Sequence, residues 1–408
     1  MKRLVINDIQ RIKQAILASP HDLGPGLLNG ELGKSIFCLV DYKSSSDNFI
    51  LEYGVDSLNE AINSFNFFEN KALLLSLAEG LPGLRHTLNV FKNFDVIDST
   101  EIENDIDSAI LKEVSKTSEV YDLVGYDLLY GLTGIANIYL DIPPSPTRNE
   151  IIDTICRRLL DNMVLNRREY VWEEKFGFGV YPYNLGMAHG LLAVICLLSK
   201  VIRVYDSSNK YKEVVKGIIR WYLDHENSSN LDSRFPCTVD KNGFSENRMN
   251  RLAWCYGDLS SAVAFLQAGL ALNEPALVNK ALTICNSTFE RRTLEYEAQS
   301  YENLIFDCGI CHGLAGITYS YFYLYNFFKS PLLAEAYKFW HQHLLDRVTN
   351  PHEHPCAGCY TMEKIHDNPV QPRPTLTLLE GASGVGLVHH AILDTSTTDM
   401  WSSLFMWF

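Results

Sequence analysis

A Gly-x-x-Gly pair at the head of an apolar run recurs along this chain and leaves few folds open to it. Strict copies are Gly30-Glu31-Leu32-Gly33, Gly80-Leu81-Pro82-Gly83, Gly131-Leu132-Thr133-Gly134, Gly313-Leu314-Ala315-Gly316 and Gly381-Ala382-Ser383-Gly384. Two relaxed copies fill the gap after the third: Gly190-Leu191-Leu192-Ala193 and Gly257-Asp258-Leu259-Ser260. The leading glycines lie 50 residues apart at the closest (30 to 80) and 68 at the widest (313 to 381). From 25 glycines in 408 residues, chance would supply roughly one or two such pairs, so the near-regular period marks a repeat architecture.

Each copy opens a stretch that is apolar nearly all round, such as 131–140 or 313–324, as expected of a buried helix. More polar, amphipathic stretches lie between them, at 150–164, 209–225 and 331–347. In the last of these, Leu332, Leu333, Ala336, Phe339, Trp340, Leu344 and Leu345 keep helical spacing. One buried and one exposed helix fit each period. The expectation is therefore an all-α chain: an α/α toroid, a double ring of about seven inner and seven outer helices, in a single domain spanning 1–408. Glycine at the start of each inner helix lets crowded loops turn and helix ends approach closely. Unrelated glycine caps are the alternative, and the period argues against it. Two segments read as loops or insertions: 168–185, rich in aromatics and glycine, and 349–375, rich in proline and histidine.

An apolar content of 47% supplies a large core. The first 19 residues show no secretory pattern, only basic residues spaced through an amphipathic helix. The longest apolar run, 191–198, is far too short to cross a bilayer. Ten cysteines, several in buried helical patterns, suggest free thiols in a reducing cytoplasm. A net charge of −14 excludes nucleic acid as the expected partner and is weakly compatible with a basic peptide.

The chemistry concentrates in Trp254-Cys255-Tyr256-Gly257 and Cys311-His312-Gly313. Two thiolates and a neutral imidazole suit Zn²⁺. Cys255, Cys311 and His312 are the expected ligands of one Zn²⁺ per chain. Three protein ligands leave the fourth tetrahedral position open, as in catalytic sites. Both segments fall at the same point of adjacent repeats. Cys308-Gly309-Ile310-Cys311-His312 also matches the c-type haem attachment pattern. That chemistry belongs to exported proteins and leaves Cys255 without a role. Cys308 is read as a neighbouring thiol, since a fourth protein ligand would close the site. The denser cluster of His352, His354, Cys356 and Cys359 is either a second, structural metal site or a proline-rich loop with unligated side chains.

The seven repeats, the two ligand segments, Ala188-His189-Gly190 preceded by Asn184-Leu185-Gly186, and Asp127 four residues ahead of Gly131 together resemble the LanC family, the lanthionine synthetase C-like cyclases. The resemblance runs over nearly the whole chain. Departures are Ala193 and Ser260 at the second small position, and Leu259 where the family usually has proline. The resemblance implies a zinc ion at the mouth of a toroid. It also implies cyclisation of a ribosomally made peptide, in which a cysteine adds to dehydroalanine or dehydrobutyrine to give a thioether ring. The implied partners are a dehydrated precursor peptide with its leader, and a separate dehydratase and transporter in a biosynthetic complex. The implied location is cytoplasmic, or peripheral to a membrane through that complex.

On this reading the substrate thiol, with an ordinary pKa of about 8.5, is activated at the metal, which deprotonates a bound thiol. His189 protonates the enolate that follows attack. Asp127 holds His189 or caps the third inner helix. Arg251 stabilises the enolate oxygen, Tyr256 donates a hydrogen bond nearby, and Trp254 packs at the mouth. Two rival classes stand against an enzyme of this kind. A non-catalytic zinc- or thiol-binding scaffold needs no set such as His189, Asp127 and Arg251. A toroidal glycoside hydrolase needs two carboxylates facing across the cavity, and no such pair recurs on the inner-helix turns.

Overall fold

A computed structural model describes the chain apart from residues 66–69, 117–118, 167–168, 175–180, 229–230, 303–304, 348–353 and 365–367. Among the described residues, fourteen long helices carry the fold. We number them α1 Lys2–Leu17, α2 Glu31–Ser45, α3 Asn48–Phe65, α4 Leu81–Asn93, α5 Thr100–Ser115, α6 Leu132–Asp141, α7 Pro146–Asp161, α8 Leu191–Val204, α9 Asn209–Leu223, α10 Asp258–Leu272, α11 Pro275–Ser287, α12 Leu314–Phe328, α13 Pro331–Leu345 and α14 Ala382–Leu393.

The even-numbered helices form the inner ring. Each packs on the next, and α14 returns to α2. Every inner helix is capped by the leading glycine of its repeat: Gly30, Gly80, Gly131, Gly190, Gly257, Gly313 and Gly381. None of these glycines has left-handed φ, so what they supply is space. A Cβ on Gly131 would collide with the backbone of Asp127, and one on Gly134 with the Leu128 carbonyl. The inner helices are buried almost all round, as α8 shows from Leu191 to Ile202. The odd-numbered helices lie outside and bury only a stripe. In α7 that stripe is Ile151, Ile152, Ile155 and Leu159, each stabilising the fold by roughly 1.5–3 kcal/mol. The α/α toroid expected from the repeat is the fold observed.

The ring closes through α1, which packs on α14. Asp8 of α1 is fully buried and takes two hydrogen bonds from Arg347, at 2.6 and 3.1 Å. His389 Nε2 of α14 lies 2.8 Å from the same carboxylate. The interior of the ring is filled by two short 3₁₀ turns, Thr395–Met400 and Ser402–Phe405, and the residues that follow. Trp254 is fully buried there. Its indole N–H donates to the Phe405 carbonyl at 2.9 Å, and its ring packs edge-on against Phe405. The expectation that Trp254 packs at the mouth is thus corrected: it packs, but inside the ring.

The two segments read as loops carry short strands. Val164–Asn166 and Glu169–Val171 form a small hairpin at the edge of the first, and Tyr183–Asn184 pairs with the distant Thr238–Val239. In the second, Tyr360–Glu363 pairs with Gln371–Pro374. Among the described residues, no helix is long and apolar enough to cross a membrane.

Candidate functional site at the mouth of the ring

The loops ahead of the inner helices are joined by backbone hydrogen bonds that run once around the ring. Leu28 N–H donates to Ala78, Ala78 to Leu129, Leu128 to Ala188, Met187 to Cys255, Cys255 to Cys311, Cys311 to Leu379, and Leu379 back to Leu28, over 2.7–3.2 Å. This belt puts the repeats in one register. The residue two before each leading glycine is buried: Leu28, Ala78, Leu129, Ala188, Cys255, Cys311 and Leu379. The residue one before is half-exposed: Asn29, Glu79, Tyr130, His189, Tyr256, His312 and Glu380. The mouth is therefore edged by seven side chains, of which three are sequence candidates.

Cys255 and Cys311 occupy the buried position on neighbouring repeats, and their thiols meet. The Cys311 thiol donates to Cys255, and this lowers Cys255 to about 6 against the opposing effect of burial. The charges of His312, Arg251 and His189 act in the same direction. As the donor of the pair, Cys311 is pushed well above its ordinary value. One side of this site thus favours a thiolate.

His312 Nδ1 lies 2.6 Å from Asp307 Oδ2, and Nε2 lies 3.9 Å from Glu380 Oε1. Burial disfavours the imidazolium, but the charge and hydrogen bond of Asp307 prevail and raise His312 to about 9. Asp307 Oδ1 also accepts the Gly309 N–H at 2.9 Å, so the carboxylate is fixed by its own turn. Metal-ligating histidines characteristically donate their second nitrogen to such a carboxylate. Sequence reasoning missed Asp307. Its signal was an Asx residue opening the turn six places before Gly313, and Asn184 stands at the same place before Gly190. Asn184 accepts the Gly186 N–H at 2.9 Å and donates to the Tyr256 hydroxyl at 2.8 Å, which fixes Tyr256.

Asp127 plays both of the parts considered for it. Oδ1 accepts the Leu129 and Tyr130 N–H groups at 2.6 and 2.8 Å, and Oδ2 lies 2.5 Å from His189 Nδ1. Burial disfavours the charged imidazole, yet the Asp127 hydrogen bond and charge outweigh it and raise the His189 pKa. His189 is stacked parallel on Tyr130 with ring centres 6.1 Å apart, and the Tyr256 ring is 6.4 Å away. Arg251 is half-buried, with Nη1 3.3 Å from Gln299 Oε1, and its charge reaches Cys255. All seven sequence candidates therefore fall on four consecutive repeats, the third to the sixth.

Among the described residues, no three His, Cys, Asp or Glu side chains stand as a complete ligand cage. The donors nonetheless match a soft divalent metal: two thiols in contact, beside an imidazole whose Nδ1 is already engaged. Cys308 stands apart, its thiol 3.2 Å from the Phe306 carbonyl. In the second cluster, His352 lies outside the described residues, His354 meets the Tyr360 hydroxyl at 2.9 Å, Cys359 is fully buried and Cys356 half-exposed. All ten cysteines are free thiols.

Comparison with known proteins bears on the fold and the family. The sequence model of the family described as "Lanthionine synthetase C-like protein" matches residues 21–406. The nisin biosynthesis protein NisC of Lactococcus lactis subsp. lactis is 25% identical over 321 residues, covering 72% of this chain and 73% of that protein. The solved structure of nisin cyclase superposes with a TM-score of 0.75 at 18% identity, over 100% of this chain and 97% of that one. By repeat, fold and the span of the family match, this chain belongs to the lanthionine synthetase C-like family.

Proposed function

We propose that this protein is a zinc-dependent cyclase, closing lanthionine or methyllanthionine rings in a dehydrated, ribosomally made peptide. The observation that carries the reading is the Cys255–Cys311 thiol pair within electrostatic reach of two carboxylate-held imidazoles, His312 on Asp307 and His189 on Asp127. Cys255, Cys311 and His312 would hold the zinc. When bound, the metal supplies the acidity that keeps a substrate thiol as thiolate near neutral pH.

The reaction is an isomerisation. The peptide sulfur loses its proton and forms a C–S bond at the β-carbon of the dehydro residue. The π pair moves toward the carbonyl as an enolate, and a proton then arrives at the α-carbon. His189 is the group that carries that proton. Asp127 at Nδ1 keeps the ring in one tautomer and aims Nε2 at the substrate, and the upward shift of His189 favours the donor form. Arg251 places a guanidinium charge where the enolate oxygen develops. Tyr256, fixed by Asn184, presents its ring beside His189. The substrate is a precursor peptide carrying its leader, and the expected partners are a separate dehydratase and a transporter.

Two variants test this together. Cys255→Ala should lose zinc on elemental analysis, while His189→Ala should keep its zinc and its fold yet lose cyclisation. Full zinc retention in Cys255→Ala would sink the ligand assignment. Ring formation in His189→Ala at the wild-type rate, corrected for the uncatalysed reaction, would remove His189 from the mechanism.

A further inference from the structure

Between the seventh and first repeats the mouth opens sideways into a cleft of about 650 Å³. Asn29 and Glu380 line its inner end, and both also belong to the seven side chains that edge the mouth. Glu380 Oε1 is 3.9 Å from His312 Nε2, so the cleft begins beside the proposed ligand set. Its volume falls within the range of sites that enclose organic ligands, and it has room for a few residues of peptide.

The walls are mixed in chemistry. Thr361 and Thr375 offer hydroxyls, Asn29 offers an amide, and Leu23 and Leu376 offer apolar surface. Such a surface suits a peptide chain, with backbone groups to bond and side chains of varied kind. The cleft is also pre-formed. Lys34 is fully buried and spends its ammonium on Glu31 at 2.9 Å and the Pro20 carbonyl at 2.9 Å. This fixes the wall at Ser19 and Pro20. On the opposite side, Cys356 and Ala357 hold left-handed φ of +52° and +56°. Left-handed non-glycine residues cost of order 1 kcal/mol each and persist where surroundings impose them. Here the buried Arg347 donates to the Ala357 carbonyl at 2.7 Å. The result keeps Cys356, half-exposed, on the wall of the cleft. The strand Gln371–Pro374 carries prolines at 372 and 374, which remove backbone donors. The occupant is therefore held by side chains rather than by adding a strand.

We propose that this cleft seats the stretch of substrate peptide that flanks the reacting cysteine, as it leaves the mouth past Glu380 and Asn29. The proposal rests on the cyclase reading above, because it takes a peptide as the substrate.

Cys356 allows a test that does not depend on turnover. The full-length protein is alkylated with iodoacetamide, with and without a dehydrated peptide whose cysteine is replaced by serine, and each modified thiol is located by mass spectrometry. Alkylation of Cys356 should slow severalfold with the peptide. An unchanged rate at saturating peptide would overturn the proposal. In a second arm, Cys356 is capped with a bulky maleimide and Cys356→Ser is the uncapped control. Capping should raise KM severalfold for a long peptide and leave a minimal peptide, cut to the ring residues alone, unaffected. Equal loss on both peptides, or no loss on either, would overturn the proposal. Failure of the uncapped enzyme to close any ring would count against the cyclase reading only, since protection of Cys356 still reports whether peptide enters the cleft.

Discussion

Asp127→Asn separates the two tasks of one carboxylate. Oδ1 holds the turn by accepting the Leu129 and Tyr130 N–H groups, and Oδ2 holds His189. Asparagine keeps an oxygen for the first task, and it caps about as well as aspartate. It puts an NH₂ where Oδ2 was, facing His189 Nδ1. The neutral imidazole then carries its proton on Nε2 with Nδ1 accepting from that amide, and no carboxylate stabilises the imidazolium from which Nε2 donates. Losing the charge-assisted bond costs about 1.5–3 kcal/mol, which is roughly 10- to 150-fold in rate if expressed in the transition state. The same replacement in a Ser-His-Asp triad costs about 10⁴-fold through the tautomer, so the expected fall in kcat lies between these bounds. The pH dependence carries a sign. Asp127 raises the His189 pKa, so the protonated donor persists to higher pH in wild type. In Asp127→Asn the alkaline limb of the rate profile should move to lower pH. Stability follows the same rule: the contribution is present below the ordinary histidine value and lost as pH rises through the raised one. The variant should therefore be destabilised more at pH 5 than at pH 9. Cyclisation of a dehydrated peptide, read by the mass shift of thiol alkylation, and thermal melts at both pH values provide the assay. Near-normal turnover with an unmoved alkaline limb would refute the orienting role.

Arg251→Ala should lower kcat about 10²–10³-fold with little change in KM, and Arg251→Lys should restore little if the contact to the enolate is bidentate; a KM effect alone would reassign Arg251 to binding. Gly134→Ala should destabilise by about 1–3 kcal/mol or more, because the added methyl meets the Leu128 carbonyl in a loop tied into the backbone belt; an unchanged melting curve would mean that the belt yields easily. Asp8→Ala should cost about 3–5 kcal/mol by leaving Arg347 buried and unpaired, and chemical denaturation measures it.

The fold was legible in the sequence because its signal is steric and repeats. A glycine is needed wherever an inner helix starts against a neighbouring loop, so Gly30 to Gly381 mark all seven starts. The candidate site was legible for a related reason: its side chains sit at fixed offsets from those glycines. Asp307 was missed although it stands six residues before its glycine, as Asn184 and Arg251 do, because its role follows from the turn it caps and the histidine it meets rather than from its position. The rest of what was not legible lies off the repeat. Trp254 points inward because residues 395–408 fill the ring, and these form irregular 3₁₀ turns without an amphipathic pattern. The closure by Asp8 and Arg347 joins residues 339 apart in the chain, where no local pattern couples them. The hairpins at 164–171 and 360–374 are too short for an alternation to register.

The proposed chemistry is closure of thioether rings with the help of a zinc that Cys255, Cys311 and His312 would hold. The most direct measurement incubates the full-length, zinc-loaded protein with a peptide bearing one cysteine and one dehydroalanine, then counts alkylatable thiols. Ring closure leaves the peptide mass unchanged and removes one thiol, so the account predicts a product that no longer takes up the alkylating reagent. Chelator-stripped protein should close the ring no faster than the uncatalysed reaction, and added Zn²⁺ should restore closure. A zinc-replete protein that leaves the thiol count at the level of the uncatalysed reaction, or a stripped protein that closes the ring as fast as the loaded one, would contradict it.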